Sequence, residues 1–184
     1  GSAIFTADGK QIASGGGDRT VHVWEAASGH LLRTMQGHSQ GVNGLSFSPD
    51  GQWIATACED GKVRLFAYPT GGTSMAATPT NLAVLSGHTK EVTAVAFSPD
   101  GKLLASGGAD CAIHLWQSAG RRLQQVLHGH QSWVRTLLFH PNGNILLSCG
   151  SDWRIRVWDL SSGGQTQLLQ SQKGSTWSLS LIHI

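Results

Sequence analysis

The chain is 184 residues long, with 40% hydrophobic and 13% charged residues, 24 glycines and a single tyrosine. Such a length buries roughly 70% of the unfolded surface, and low charge with abundant glycine favours many short strands joined by tight turns over charged surface helices. Thirteen Lys+Arg against 11 Asp+Glu leave a formal charge of +2 and no basic cluster, which excludes the electrostatic footprint of a nucleic-acid binder. The opening GSAIFTADGK lacks the basic start and apolar run of a secretory signal, and no apolar stretch approaches the ~18 residues of a membrane span. Cys58, Cys111 and Cys149 form no CxxC pair and cannot all pair with one another. A soluble, cytoplasmic chain with reduced thiols is expected, with no nucleic-acid or membrane partner.

In chain order, a first unit covers residues 1–36. It opens on SAIF, a strand that starts part-way along, and continues through the turn FTADG to Ser14, Asp18 and Trp24. A second unit, 37–86, carries GH at 37–38, the turn FSPDG at 47, and then Thr56, Asp60 and Phe66. Its run AYPTGGTSMAATPTNLAV is eight residues longer than elsewhere and reads as an extended loop over 67–84, between the third and fourth strands. The third unit, 87–128, is the most regular. VTAVAF (92–97) is a strand, and in the SPDG turn Pro99 presets φ while Gly101 tolerates positive φ. LLASGG follows as a second strand, the alternating AIHLW as a third and RRLQQVL (121–127) as a fourth. A fourth unit, 129–171, has the turn FHPNG at 139. In 172–184 the segment TWSLSL (176–181) reads as the first strand of a further, truncated unit, with Gln172 where a histidine is due. Both ends therefore read as interrupted.

The units share a register. His38, His88 and His130 each follow a glycine, and eighteen residues later stands a hydroxyl: Thr56, Ser106, Ser148. Four residues on come Asp60, Asp110 and Asp152, and six further on an aromatic: Phe66, Trp116, Trp158. Ser14, Asp18 and Trp24 keep the same spacing without a histidine. Histidine, serine and aspartate are the types a hydrolase uses for base, nucleophile and orienting carboxylate. A catalytic triad has no reason to recur at every period of an array with an aromatic attached, so the repetition argues for architecture.

Four short strands per period of about 42 residues, with GH at one end and Trp158–Asp159 near the other, resemble the WD-repeat β-propeller family. The resemblance implies an all-β fold: a β-propeller with four-stranded antiparallel blades, four of them present as an open fragment of a ring of seven or more. It also implies a structural tetrad, in which the Trp116 indole donates to Ser106, Ser106 to His88, and His88 to Asp110. His130, Ser148, Asp152 and Trp158 match it. Phe66 has no N–H, so the second blade is expected to have the weakest network. The function implied is a non-catalytic scaffold for protein partners. The alternative is a sensor or regulatory array of a larger signalling protein whose ATPase or kinase part lies elsewhere. A serine hydrolase using Ser106, His88 and Asp110 ranks third, and outer blade faces left uncovered would make the isolated chain self-associate.

Other candidates are weaker. HGH at 128–130 lacks a further ligand at zinc spacing, and the glycine runs at 15–17 and 107–108 lack GK[ST], so no metal or cofactor is expected. His22 and His114 stand two before the strand-three tryptophan, where Arg64 and Arg156 stand in the other units, and read as strand side chains. Trp133 follows a GH dipeptide and Trp153 follows Asp152. Their counterparts, Gly41 and Glu91, and Arg19, Gly61 and Cys111, are not aromatic. In a WD-repeat propeller both loops open on one rim, which makes Trp133 and Trp153, with Lys90 and Glu91, a candidate partner surface. The alternative is that the two rings stack on each other or on a neighbouring blade.

Overall fold

The structure is a computed structural model that describes residues 1–68, 81–162 and 164–170. It contains four antiparallel four-stranded sheets, each in chain order. The first holds β1 (Ser2–Phe5), β2 (Gln11–Gly15), β3 (Val21–Glu25) and β4 (Leu31–Met35), and the second β5 (Val42–Phe47), β6 (Trp53–Cys58), β7 (Lys62–Ala67) and β8 (Asn81–Ser86). The third holds β9 (Val92–Phe97), β10 (Leu103–Gly108), β11 (Ala112–Gln117) and β12 (Arg122–His128). The fourth holds β13 (Val134–Phe139), β14 (Ile145–Gly150), β15 (Arg154–Asp159) and β16 (Gly164–Gln170). No helix occurs among the described residues, and so none there is long and apolar enough to cross a membrane.

The turn chemistry explains why strands one and two of each sheet pair where they do. In the third sheet the Ser98 hydroxyl donates to Asp100 Oδ1 (2.7 Å), while the backbone N–H groups of Lys102 and Leu103 donate to Asp100 Oδ1 and Ser98 Oγ (3.0 and 2.9 Å). Gly101 sits at φ 69°, a left-handed conformation that a side chain disfavours. Ser48, Asp50 and Gly51 repeat the arrangement in the second sheet.

Side chains alternate between sheet faces along each strand, and here both faces of the middle sheets are apolar. Ile54 and Phe66 point back to Val21, Val23 and Met35 of the first sheet, whereas their neighbours Ala55 and Leu65 point forward to Val92 and Leu104 of the third. Ala105, Ile113 and Leu115 meet Val134, Leu137 and Leu146 of the fourth sheet in the same way. Adjacent sheets touch most closely through their first strands, β1, β5, β9 and β13. The result is an open arc of stacked blades, and the core is three inter-sheet layers.

One expectation is corrected. The extended loop over 67–84 is narrower, because Ala67 ends β7 and residues 81–84 belong to β8. Arg64 pairs with Val84, Leu65 with Ala83 and Phe66 with Asn81, so these backbone groups are satisfied by a ladder and have no reason to stay in a loop. Tyr68 is buried as well. The strand expected at TWSLSL lies outside the described residues.

Candidate functional site

The repeated residues converge between neighbouring loops of each sheet. In the third blade His88 Nδ1 lies 3.0 and 2.9 Å from the two carboxylate oxygens of Asp110. An ionised carboxylate only accepts, so Nδ1 carries the proton and Nε2 accepts from the Ser106 hydroxyl at 2.9 Å. The Trp116 indole N–H donates to the same Ser106 oxygen at 2.8 Å. Asp110 also accepts from the Thr89 and Ala112 backbone N–H groups (3.0 and 3.3 Å), which ties the loop before β9 to the β10–β11 turn. The fourth blade repeats this. His130 Nδ1 is 3.0 Å from Asp152 Oδ1, Nε2 is 2.7 Å from Ser148 Oγ, and Trp158 donates to Ser148 at 2.8 Å.

Burial holds His88 below its usual pKa against the opposing pull of Asp110. Burial alone would raise the Asp110 carboxyl, yet His88 and the Thr89 N–H bring it below the ordinary value. The stable pairing is thus neutral imidazole with carboxylate. Its connectivity is that of a hydrolytic triad, but access is missing. Ser106 is 0% exposed and its oxygen already receives an indole N–H, so no substrate carbonyl can approach it.

The second blade departs from the pattern at both ends. Phe66 is fully buried and gives Thr56 no donor. His38 Nε2 reaches Thr56 Oγ1 at 2.9 Å, but Asp60 does not join His38. Asp60 accepts instead from Arg64 Nη1 and Nη2 (3.1 and 2.6 Å) and from the Ser39 hydroxyl (2.5 Å). The cause is the residue that faces the first position of strand one. Gly108 pairs with Val92 and Gly150 with Val134, whereas Cys58 pairs with Val42. A Cβ on Gly108 would fall 2.7 Å from His88 Nδ1 and 2.6 Å from Asp110 Oδ1, and on Gly150 2.5 and 2.6 Å from His130 Nδ1 and Asp152 Oδ1. Cys58 carries that Cβ, and the histidine–aspartate bond is gone. Thr56 then donates weakly to the Arg64 carbonyl (3.5 Å) and accepts from His38, leaving His38 Nδ1 buried without a hydrogen-bond partner. In the first blade Trp24 donates to Ser14 at 2.8 Å, and Asp18 takes His22 Nε2 at 2.9 Å in place of the missing histidine.

Sequence reasoning read the position two before the strand-three aromatic only as strand side chains and missed what it binds. His22, Arg64 and Arg156 each bind the aspartate four residues earlier, Arg156 Nη1 at 2.9 Å from Asp152 Oδ2. His114 instead stacks on His88, with ring centroids 3.8 Å apart and planes 14° from parallel. The available signal was that all four residues can carry positive charge at one register. His88, Asp110 and His114 bring donor atoms within 4.8 Å of one another. They are a poor metal set, because both His88 nitrogens are engaged and parallel rings aim their lone pairs along separate planes.

These buried histidines set an acid limit. His38 and His114 are each pulled down to about 4, by burial first and then by Arg64 and His88 respectively; the Arg19 carbonyl opposes this at His38 without a bond of good geometry. On unfolding both return towards 6.5. Between those values the unfolded chain binds more protons, so stability is present above pH 6.5 and falls as pH drops towards 4. Melting temperatures measured from pH 7 to pH 4.5 are expected to decline steadily; a flat profile contradicts the burial of neutral imidazoles.

At the loop ends that the polar chains tie down, the rim carries two adjoining shallow depressions of about 440 and 350 Å³. Glu59, Glu91 and Trp133 line both, Lys90 lines the first and Arg135 the second. Trp133 is 38% exposed, with the Arg135 guanidinium 4.5 Å from its ring centroid. Trp153 is 52% exposed, sits at φ 63° and lines neither depression. The structure therefore brings Trp133 together with Lys90 and Glu91, adds Glu59, and leaves Trp153 outside.

The family model for the WD domain, G-beta repeat, matches residues 2–25, 29–66, 79–117 and 121–159, which together make up most of the chain. The chain belongs to the WD-repeat family. Human coronin-7 is 37% identical to this WD-repeat chain over 68 residues, 37% of the chain and 7% of coronin-7. The guanine nucleotide-binding protein subunit beta of Oryza sativa subsp. japonica is 36% identical over 70 residues, 38% of the chain and 18% of that protein. Nuclear distribution protein PAC1 of Mycosarcoma maydis is 43% identical over 44 residues, 24% of the chain and 10% of that protein. The WD-repeat chain thus aligns with between 7% and 18% of the length of these relatives.

Proposed function

We propose that the chain is a non-catalytic interaction module whose rim, centred on Trp133 with Glu59, Lys90 and Glu91, docks a protein partner. The supporting observation is where polar residues are spent. The serines, histidines and aspartates that could do chemistry are buried in bonds that fix loops, while the rim loops expose an aromatic among charges of both signs. Large aromatics flanked by charge are the usual anchors of protein interfaces. Cys58 and Cys149 are buried as small core thiols, which supports a reducing, cytoplasmic setting.

The test is affinity for a partner isolated with the wild-type chain and then purified. Trp133→Ala is expected to weaken binding by more than about 1 kcal/mol with the melting temperature unchanged. Trp153→Ala is expected to cost less, because it lies outside the depressions. Wild-type affinity in Trp133→Ala would reject the rim as the docking site.

A further inference from the structure

The opposite end of the sheets, where the first-to-second and third-to-fourth strand turns lie, carries grooves between the first and second blades and between the second and third. The residue two beyond the strand-three aromatic governs how full each groove is. These residues are Tyr68, Ser118 and Leu160, and their equivalence is marked by one backbone bond, with Tyr68 N–H donating to the Gln52 carbonyl, Ser118 N–H to Lys102 and Leu160 N–H to Asn144. Tyr68 plugs the groove between the first and second blades. Its ring packs edge-on against Phe47, with centroids 5.0 Å apart, its hydroxyl donates to Gln11 and the Arg33 guanidinium lies over it. Leu160 packs into the layer between the third and fourth blades beside Leu103 and Ala96.

Between the second and third blades the plug is absent, since Ser118 stands there. Its hydroxyl oxygen is buried with no hydrogen-bond partner. The space it leaves is a groove of about 520 Å³, against about 220 Å³ beside Tyr68. The walls are aromatic and aliphatic: Trp53, in the place held by Gln11 in the first blade, with Leu65, Phe97 and Pro49. The Arg121 guanidinium lies 5.7 Å from the Trp53 ring centroid, as Arg33 lies over Tyr68. A volume of this size falls in the roughly 300–1,000 Å³ range of ligand sites, which combine apolar walls with a few polar groups.

We propose that this groove receives a tyrosine side chain presented by a partner polypeptide, in the place that Tyr68 fills within the chain one groove away. The ring would lie among Trp53, Leu65 and Phe97, with its hydroxyl on the Trp53 side of the groove, as the Tyr68 hydroxyl lies beside Gln11. A polypeptide is favoured over a free small molecule because the groove opens beside exposed turns, where Asp50 and Asp100 offer carboxylates to backbone N–H groups or basic side chains flanking the tyrosine. This surface is at the other end of the blades from the Trp133 rim, so the two proposals stand or fall separately.

The probes are the acetylated, amidated pentapeptides Gly-Ser-Tyr-Ser-Gly and Gly-Ser-Ala-Ser-Gly, with p-cresol as the free phenol, titrated into the whole chain and read by NMR at the Trp53 indole N–H. The tyrosine peptide is expected to give a saturable shift and the alanine peptide none. Ser118→Tyr, which supplies the plug from within, is expected to abolish the shift and raise the melting temperature. Ser118→Leu, which copies the fourth blade, serves the same purpose if the tyrosine variant folds poorly. No saturable shift with the tyrosine peptide, or an equal shift in the plugged variant, overturns the proposal. Binding of p-cresol without the peptide overturns it too, since the groove would then exclude a main chain.

Discussion

Gly108→Ala is expected to destabilise the protein by about 2–3 kcal/mol, although it adds a single methyl group. The penalty is not backbone strain, because Gly108 is outside the positive-φ region. It comes from the methyl itself, which would meet Asp110 Oδ1 at 2.6 Å, His88 Nδ1 at 2.7 Å and the Glu91 carbonyl at 3.0 Å. Relief requires the imidazole and carboxylate to separate, as His38 and Asp60 have done beside Cys58. The third blade has no arginine to take up the freed carboxylate, since His114 stands where Arg64 stands in the second. An unsatisfied buried group costs roughly 1–3 kcal/mol, and both partners are affected. Gly16→Ala is the control. That glycine holds the same place in the first blade, where no tetrad histidine precedes it, and an added methyl meets only Asp18 Oδ1 at 4.0 Å; the expected change is within about 0.5 kcal/mol. Urea unfolding midpoints measure both. Equal midpoints would mean that the histidine–aspartate bond carries no weight.

Ser106→Ala is expected to cost about 2–4 kcal/mol, since one deleted oxygen strands two buried partners, the Trp116 indole donor and the His88 Nε2 acceptor. Ser148→Ala is expected to match it, for the same bonds recur at 2.7 and 2.8 Å. Ser14→Ala is expected to cost less than about 1 kcal/mol, because Ser14 and Trp24 are only half-buried and water can replace the hydroxyl. A ranking with Ser14→Ala as the most damaging of the three contradicts the role assigned to the buried chains.

How far the sequence reached is clearest in the third blade. VTAVAF, LLASGG, AIHLW and RRLQQVL became strands because alternation and the SPDG turn specify them locally, and the His88 tetrad followed from fixed spacing. What escaped depended on contacts across blades or loops. Cys58 reads as an ordinary small core residue until its place opposite Val42, beside a histidine twenty positions earlier, is known. The Arg64–Asp60 and Arg156–Asp152 pairs were within reach, because residues four apart across a tight turn recur at one register. NLAV, the start of β8, was absorbed into a loop because the insertion before it blurred the boundary, and only pairing with β7 distinguishes it. The Ser118 groove required knowing that Tyr68, Ser118 and Leu160 face the same inter-blade space. Trp133 and Trp153 are both exposed on rim loops, as their positions suggested, but side-chain direction separates them.

In the proposed interaction module the recurring histidine, serine and aspartate hold loops together and are expected to do no chemistry. Treating the folded chain with a serine-reactive fluorophosphonate and mapping adducts by mass spectrometry tests it directly. The expected result is no labelling of Ser106 or Ser148 above that of serines in the unfolded chain, because each oxygen is buried and bonded to an indole and an imidazole. Stoichiometric labelling of Ser106, lost in His88→Ala, would contradict a structural role and identify a nucleophile.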